Sequence, residues 1–191
     1  MKRVCVFCGS KPGNSPVFQD AARALGKALG VRGLELVYGG AHTGLMGAVA
    51  DGALEAGAKV IGVIPDGLAR QEFAHPRITD VRKVATMSER KDLMGELSDA
   101  FIALPGGFGT MDELFEVLTG AQIGLHQKPI GVLNTLGFYD SITNWISTGL
   151  QRGFIPGGLK DVLVVHSEPE VLVETLLSHQ PPPPAVQWIK R

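Results

Sequence analysis

Twice in this chain a short apolar run ends in a glycine-rich turn that opens directly into a helix, and no other feature limits the possible folds as much. Residues 34–38 read as a strand, 39–43 as a turn containing Gly39 and Gly40, and 44–55 as a helix rich in Ala and Gly. Residues 98–104 repeat the pattern as a buried strand. Pro105, Gly106, Gly107, Phe108 and Gly109 then form a turn too rich in glycine for regular structure, and a helix follows from Thr110 with Leu114, Val117 and Leu118 on one side. Further apolar runs at 4–7, 59–64, 129–133 and 162–165 alternate with helical patterns at 16–32, 88–97, 138–152 and 167–179. Ser15 before Pro16, Ser88, and the pair Ser167 and Glu170 supply the expected helix starts. Residues 65–79 read as irregular. Strands alternating with helices through short loops predict one α/β domain over residues 1–180, a Rossmann-like, doubly wound parallel sheet with helices on both faces. Residues 181–191 open with four prolines and read as an extended tail.

In such sheets ligands bind beyond the carboxyl ends of the strands, where strand order reverses. Both glycine turns fall at strand carboxyl ends, so residues 39–44 and 106–110 are expected to share a crevice; close packing of helix on sheet is the alternative for the first. Gly106, Gly107 and Gly109 let a ligand approach the backbone, and the free N–H groups and positive dipole of the following helix favour an anion, above all a phosphate. Thr110 and Glu113 also fit the S/T-x-x-E capping box, which would make Glu113 only a helix-start residue. The turn has neither the Gly-Lys-Ser/Thr ending of a P-loop nor the G-x-G-x-x-G of a dinucleotide fingerprint. Arg90 and Lys91 fall in a first helical turn, where cations oppose the dipole, so stability alone does not explain them.

The formal net charge of −1 offers no electrostatic reason to expect a nucleic acid or an anionic membrane as partner. Arg70, Arg77, Arg82, Lys83, Arg90 and Lys91 do gather along the chain, as a solvated face or a site for a small anion. The apolar segment after Met1 is too short for a signal-peptide core and no later run reaches membrane-spanning length, which predicts a cytoplasmic protein. Cys5 and Cys8 form a C-x-x-C inside the first strand, on opposite faces, and no further ligands accompany them as zinc would need. Two reduced core cysteines are expected.

The run Pro105-Gly106-Gly107-Phe108-Gly109-Thr110-Met111-Asp112-Glu113 resembles the P-G-G-x-G-T-x-x-E signature of the Lonely Guy family, cytokinin riboside 5′-monophosphate phosphoribohydrolases often labelled lysine decarboxylases. The likeness extends to Cys8-Gly9-Ser10, Tyr38-Gly39-Gly40, Gly44-Leu45-Met46-Gly47, Met87-Ser88-Glu89-Arg90-Lys91 and residues 122–129. It implies hydrolysis of the N-glycosidic bond of an N6-substituted adenosine 5′-monophosphate to free base and ribose 5-phosphate, with no metal or cofactor and by a homodimer. By the same resemblance Arg90 and Glu113 are the catalytic pair. The implied substrate contacts are Glu72, Arg90, Lys91, Gly107, Phe108, Gly109, Thr110, Met111, Asp112, Glu113 and Thr119.

These residue types suit that reaction. A phosphate at Gly107 to Thr110 leaves Glu113 one helical turn, about 5 Å, farther along, comparable with the span from a 5′-phosphate to its ribose. A carboxylate there stabilises the positive charge that builds on the sugar, as in glycosidases. Arg90 is too weak an acid to donate a proton and is assigned to orienting phosphate or ribose, or to stabilising the departing base. A lysine decarboxylase would need a pyridoxal phosphate lysine, and no lysine here lies in a motif for that role. Two positions depart from the family pattern: Ala41 where a third glycine is common, and Gly120 where many relatives carry tryptophan. The alternatives are a nucleoside monophosphate hydrolase of broader specificity acting on AMP, and a non-catalytic carrier of a nucleotide or phosphorylated cofactor; retention of both Arg90 and Glu113 favours an enzyme.

Overall fold

The computed structural model describes residues 1–69 and 74–186. In chain order it runs β1 (Arg3–Phe7), α1 (Pro16–Val31), β2 (Glu35–Tyr38), α2 (Gly44–Glu55), β3 (Val60–Pro65), the short α3 (Asp66–Ala69), β4 (Asp80–Val84), α4 (Met87–Leu97), β5 (Ala100–Ala103), α5 (Phe108–Gln122), β6 (Ile130–Leu133), α6 (Asp140–Gln151), β7 (Leu163–His166) and α7 (Pro169–Ser178). Every strand pairing is parallel, and the sheet order is β4-β3-β2-β1-β5-β6-β7. The chain starts at the centre, builds outward to β4, then returns to lay β5 against β1 and builds outward the other way. This is the doubly wound arrangement expected, and its order reverses between β1 and β5.

Both faces of the sheet are covered, which is why the central strands read as unbroken apolar runs. Val4, Val6 and Cys8 face a core shared with α1, α2 and α7, whereas Cys5 and Phe7 face a second core with Met94 of α4 and Leu114 of α5. Cys5 and Cys8 are therefore free, buried and on opposite faces. Helices α1 and α2 cross with their backbones in contact: a Cβ on Gly26 would lie 2.1 Å from the Val49 carbonyl oxygen, and one on Gly52 would lie 2.0 Å from that of Arg23. The small residues of α2 serve this crossing.

Three local expectations need correction. No strand is read at residues 80–84, yet β4 lies there; it is an edge strand with Val81, Arg82 and Lys83 exposed, so it lacks the apolar signal of a buried strand and carries the charges that protect a sheet edge. The cap of α4 is Thr86, not Ser88. Its Oγ1 accepts from the Glu89 backbone N–H at 3.1 Å, while the Glu89 carboxylate accepts from that of Ala85 at 2.9 Å. The Ser167–Glu170 capping box is not formed, because α7 begins from Glu168 as N-cap with Pro169 next. Ser15 and Pro16 do open α1 as expected, with the serine hydroxyl accepting from Val17 N–H. Beyond α7 the proline-rich segment turns back, and the N–H groups of Ala185 and Val186 both donate to the Gln122 carbonyl at the end of α5. Among the described residues no helix is long and apolar enough to cross a membrane.

Candidate active site

The loops after β1 and β5 meet where the strand order reverses. Gly9 N–H donates to the Pro105 carbonyl at 3.1 Å. A Cβ on Gly106 would lie 2.1 Å from Thr110 Oγ1 and 2.9 Å from Gly9 N, so only glycine allows the two loops to touch. Helix α5 starts at Phe108 rather than Thr110, with Gly107 as an N-cap that offers no side-chain cap. The Thr110–Glu113 capping box is consequently not formed. The first-turn N–H groups are left to a ligand, and Glu113, already in the second turn, is freed from a capping role.

A cavity of about 310 Å³ opens here between α4 and α5. The Cys8-Gly9-Ser10 loop, Met46, Met87, Arg90, Lys91, Gly107 to Thr110, Asp112 and Glu113 line it. Arg90 is only 7% exposed. Its Nε donates to the Val63 carbonyl at the end of β3 at 3.1 Å and its Nη1 lies 3.8 Å from Met87 Sδ. Nη2 rests against the bare backbone of Gly39, where a Cβ would sit 1.8 Å away. Among the described residues Arg90 has no carboxylate within salt-bridge distance. A buried cation held by neutral groups is a site for an anion.

Glu113 faces the same cavity, also 7% exposed. Burial pushes its carboxyl up to about 7, against the pull of the Arg90 charge. Lys91 is differently placed: its Nζ bridges Asp112 at 3.0 Å and Glu116 at 3.1 Å, and these carboxylates hold it charged above the ordinary lysine range. Cys8 lines the cavity but is no nucleophile, since burial raises its thiol far above neutrality.

Most of the residues expected from the sequence thus converge, but not all. Met111 packs into the core beneath α5 instead of lining the cavity. Thr119 is exposed and lines a separate groove with Phe115 and Trp145 on the α6 side. Phe108 lines the cavity mouth yet is 98% exposed. Glu72 and Arg70 lie outside the described residues. Of the other basic residues, Lys91 shares the cavity with Arg90, whereas Arg77 pairs with Asp51 and Arg82 with Asp80. Met46 and Met87 were not anticipated in the site. Their signals were positional: Met87 is one helical turn before Arg90, and Met46 lies in the first turn after the second glycine loop. That second loop serves both roles weighed for it, since Gly39 makes room for Arg90 while Gly44 packs against Ser10. Among the described residues no group of three or more His, Cys, Asp or Glu is arranged to hold a metal ion.

The sequence model of a family described as possible lysine decarboxylase matches residues 46–176. A probable cytokinin riboside 5′-monophosphate phosphoribohydrolase of Oryza sativa subsp. japonica is 45% identical over 190 residues, covering 97% of this chain and 85% of its own. A cytokinin riboside 5′-monophosphate phosphoribohydrolase of Arabidopsis thaliana is also 45% identical, covering 94% of this chain and 83% of its own. Among solved structures, the molybdenum cofactor carrier protein of Chlamydomonas reinhardtii superposes with a TM-score of 0.72 at 22% identity, covering 93% of this chain and 99% of that one. At that identity the likeness is one of fold alone.

Proposed function

We infer the function from membership: this chain belongs to the family of cytokinin riboside 5′-monophosphate phosphoribohydrolases, and it hydrolyses the N-glycosidic bond of N6-substituted adenosine 5′-monophosphates to free base and ribose 5-phosphate. The observation that carries the mechanism is the buried Glu113 carboxyl, held near neutrality across from the buried Arg90, one turn along α5 from an uncapped glycine N-terminus. The 5′-phosphate sits on the first-turn N–H groups of residues 107–110. Glu113 then lies beneath the ribose. As the bond between C1′ and the base nitrogen breaks, its electron pair leaves with the base and positive charge spreads over C1′ and the ring oxygen, where the carboxylate stabilises it. Water adds to C1′ and gives its proton to Glu113, whose raised pKa suits a base working near pH 7. Arg90 stabilises the charge on the departing base, which takes a proton from solvent as it leaves, and Glu113 returns the proton it received to solvent, so that one water is consumed per turnover. Lys91, neutralised by Asp112 and Glu116, orients α5 and the phosphate rather than transferring protons.

The reading extends to a homodimer. Helix α6 has no buried residue, and Trp145 on it, 56% exposed, lines an apolar groove with Phe115, Leu118 and Ile146, a face suited to a second copy. Buried, reduced Cys5 and Cys8 suit the cytoplasm. The test is product analysis with AMP and with isopentenyladenosine monophosphate, without added metal or cofactor. Release of isopentenyladenine and ribose 5-phosphate is expected. No release from either, with tight binding of a phosphorylated ligand, would instead make the protein a carrier.

A further inference from the structure

Among the described residues, three further cavities adjoin the catalytic one. The largest, about 610 Å³, lies beyond the glycine loop between Pro12, Phe18 and Phe138, and neither Arg90 nor Glu113 lines it. A second, about 310 Å³, runs along α4 and α5 and includes Glu113, but its rim carries Asp92, Glu96 and Glu116. Its cations are engaged: Lys91 with two carboxylates, Lys128 with the Gly95 carbonyl at 2.8 Å. A base leaving with an electron pair is repelled there. The third, about 450 Å³, shares Ser10, Met46 and Arg90 with the catalytic cavity and continues past Gly39 to Ala41, Thr43 and Ile64. Of the three, this chamber sets the departing base against the Arg90 guanidinium, which has no carboxylate partner among the described residues, and its volume is ample for a purine with a side chain.

The turn that walls this chamber is pinned nearly everywhere. Gly39 has no room for a Cβ beside Arg90, and Gly40 has φ of +81° with its Cα where a Cβ on Gly62 would reach it at 2.8 Å. Ala41 bridges Ala74 in an isolated antiparallel pair, and the Gly40 carbonyl accepts from His75 N–H at 2.9 Å. Ala41 and Thr43, two residues apart on extended backbone, both line the chamber. Of the turn residues that line the chamber, these are the two that carry a side chain. Thr43 is moreover the N-cap residue of α2, yet its hydroxyl makes no cap hydrogen bond. A threonine at that position usually contributes about 1 kcal/mol by capping. Among the described residues it makes no such cap, and Thr43 lines the chamber together with the apolar side chains of Met46 and Ile64.

We propose that Ala41 and Thr43 select the N6 substituent of the substrate, Ala41 limiting its bulk and Thr43 hydrogen-bonding a hydroxyl carried on a short alkenyl chain. This rests on the phosphoribohydrolase reading above. A site built to bond a substrate hydroxyl discriminates against the analogue that lacks it, because its own polar group is then left unpaired. The experiment measures kcat/KM for AMP, N6-isopentenyl-AMP and the hydroxylated N6-isopentenyl-AMP in the wild type, Thr43→Val and Ala41→Val. Ratios between substrates within one preparation do not depend on the fraction folded. Thr43→Val is expected to lower the hydroxylated-to-plain ratio about tenfold, and Ala41→Val to lower both alkenyl substrates about tenfold relative to AMP. Unchanged ratios in both variants of an enzyme whose wild type turns over these nucleotides would overturn this assignment and leave the reaction standing. A wild type that hydrolyses none of the three would overturn the reaction itself and this assignment with it.

Discussion

Burial that raises the Glu113 carboxyl to about 7 ties its chemistry to the stability of the fold. The ionised form stabilises the sugar cation, so kcat/KM should rise with pH through about 7 and then level, and Glu113→Gln should lose this limb together with some 100- to 10,000-fold in kcat while still binding ribose 5-phosphate. Stability moves the other way. The folded state holds the Glu113 proton more tightly than the unfolded chain, whose carboxyl has the ordinary value of 4.5, so between pH 4.5 and about 7 the native state loses stability as pH rises. The full effect is on the order of 3 kcal/mol, at 1.36 kcal/mol for each pH unit. Glu113→Gln should therefore raise Tm at pH 8 and change it much less at pH 4.5, as thermal denaturation at the two pH values would reveal. Gly39 makes a second point at this scale: Gly39→Ala would drive a Cβ into the Arg90 guanidinium and should abolish most turnover, and a near-normal rate would mean that Arg90 can sit elsewhere. Glu113 itself was marked by the P-G-G-x-G-T-x-x-E run, whereas the contact between Gly39 and Arg90 was not, since residues 39 and 90 are distant in the chain.

At the scale of elements, α4 and α5 form the site and their first turns decide its geometry. Thr86 caps α4 and thereby sets where Arg90 and Lys91 emerge one turn later. Thr86→Ala should cost about 1 kcal/mol, a fall of about 2–4 °C in Tm, and should raise KM for the nucleotide as that turn frays. An unchanged Tm would show that Glu89, accepting from Ala85 N–H, suffices as a cap. Ser88 and Thr110 were the starts expected from the sequence, and the folded chain uses Thr86 and Gly107 as the caps instead. Tertiary contacts chose between them. Thr110 packs its hydroxyl toward the Gly106 backbone where β1 and β5 loops meet, which draws the helix start back to Phe108. The charged edge strand β4 escaped detection for a related reason, because its place is set by pairing with β3 rather than by a buried apolar face.

For the whole molecule, the proposed dimer is the claim most open to direct test. Trp145→Glu places a charge on the exposed apolar face of α6, where Trp145 stacks edge-on against Phe115 of α5. Sedimentation should report a dimer for the wild type and a monomer for the variant, and a wild type that sediments as a monomer at micromolar concentration would sink the proposal. Local residue order was enough for the architecture. Unbroken apolar runs alternating with helical periods and glycine turns leave little besides a parallel sheet covered on both faces. Arg90 and Glu113 stood out as candidates because each sits in a short contiguous motif, and both line the cavity. Which of the named residues actually meet was decided only by the folded chain. Reversal of strand order between β1 and β5 brings residues 8–10, 46, 90 and 113 to one cavity, while the 100° step of a helix turns Met111 toward the core and carries Thr119 to another face. Burial of Arg90, and of Glu113 with its raised carboxyl, is a property of those long-range contacts that no neighbouring residues encode.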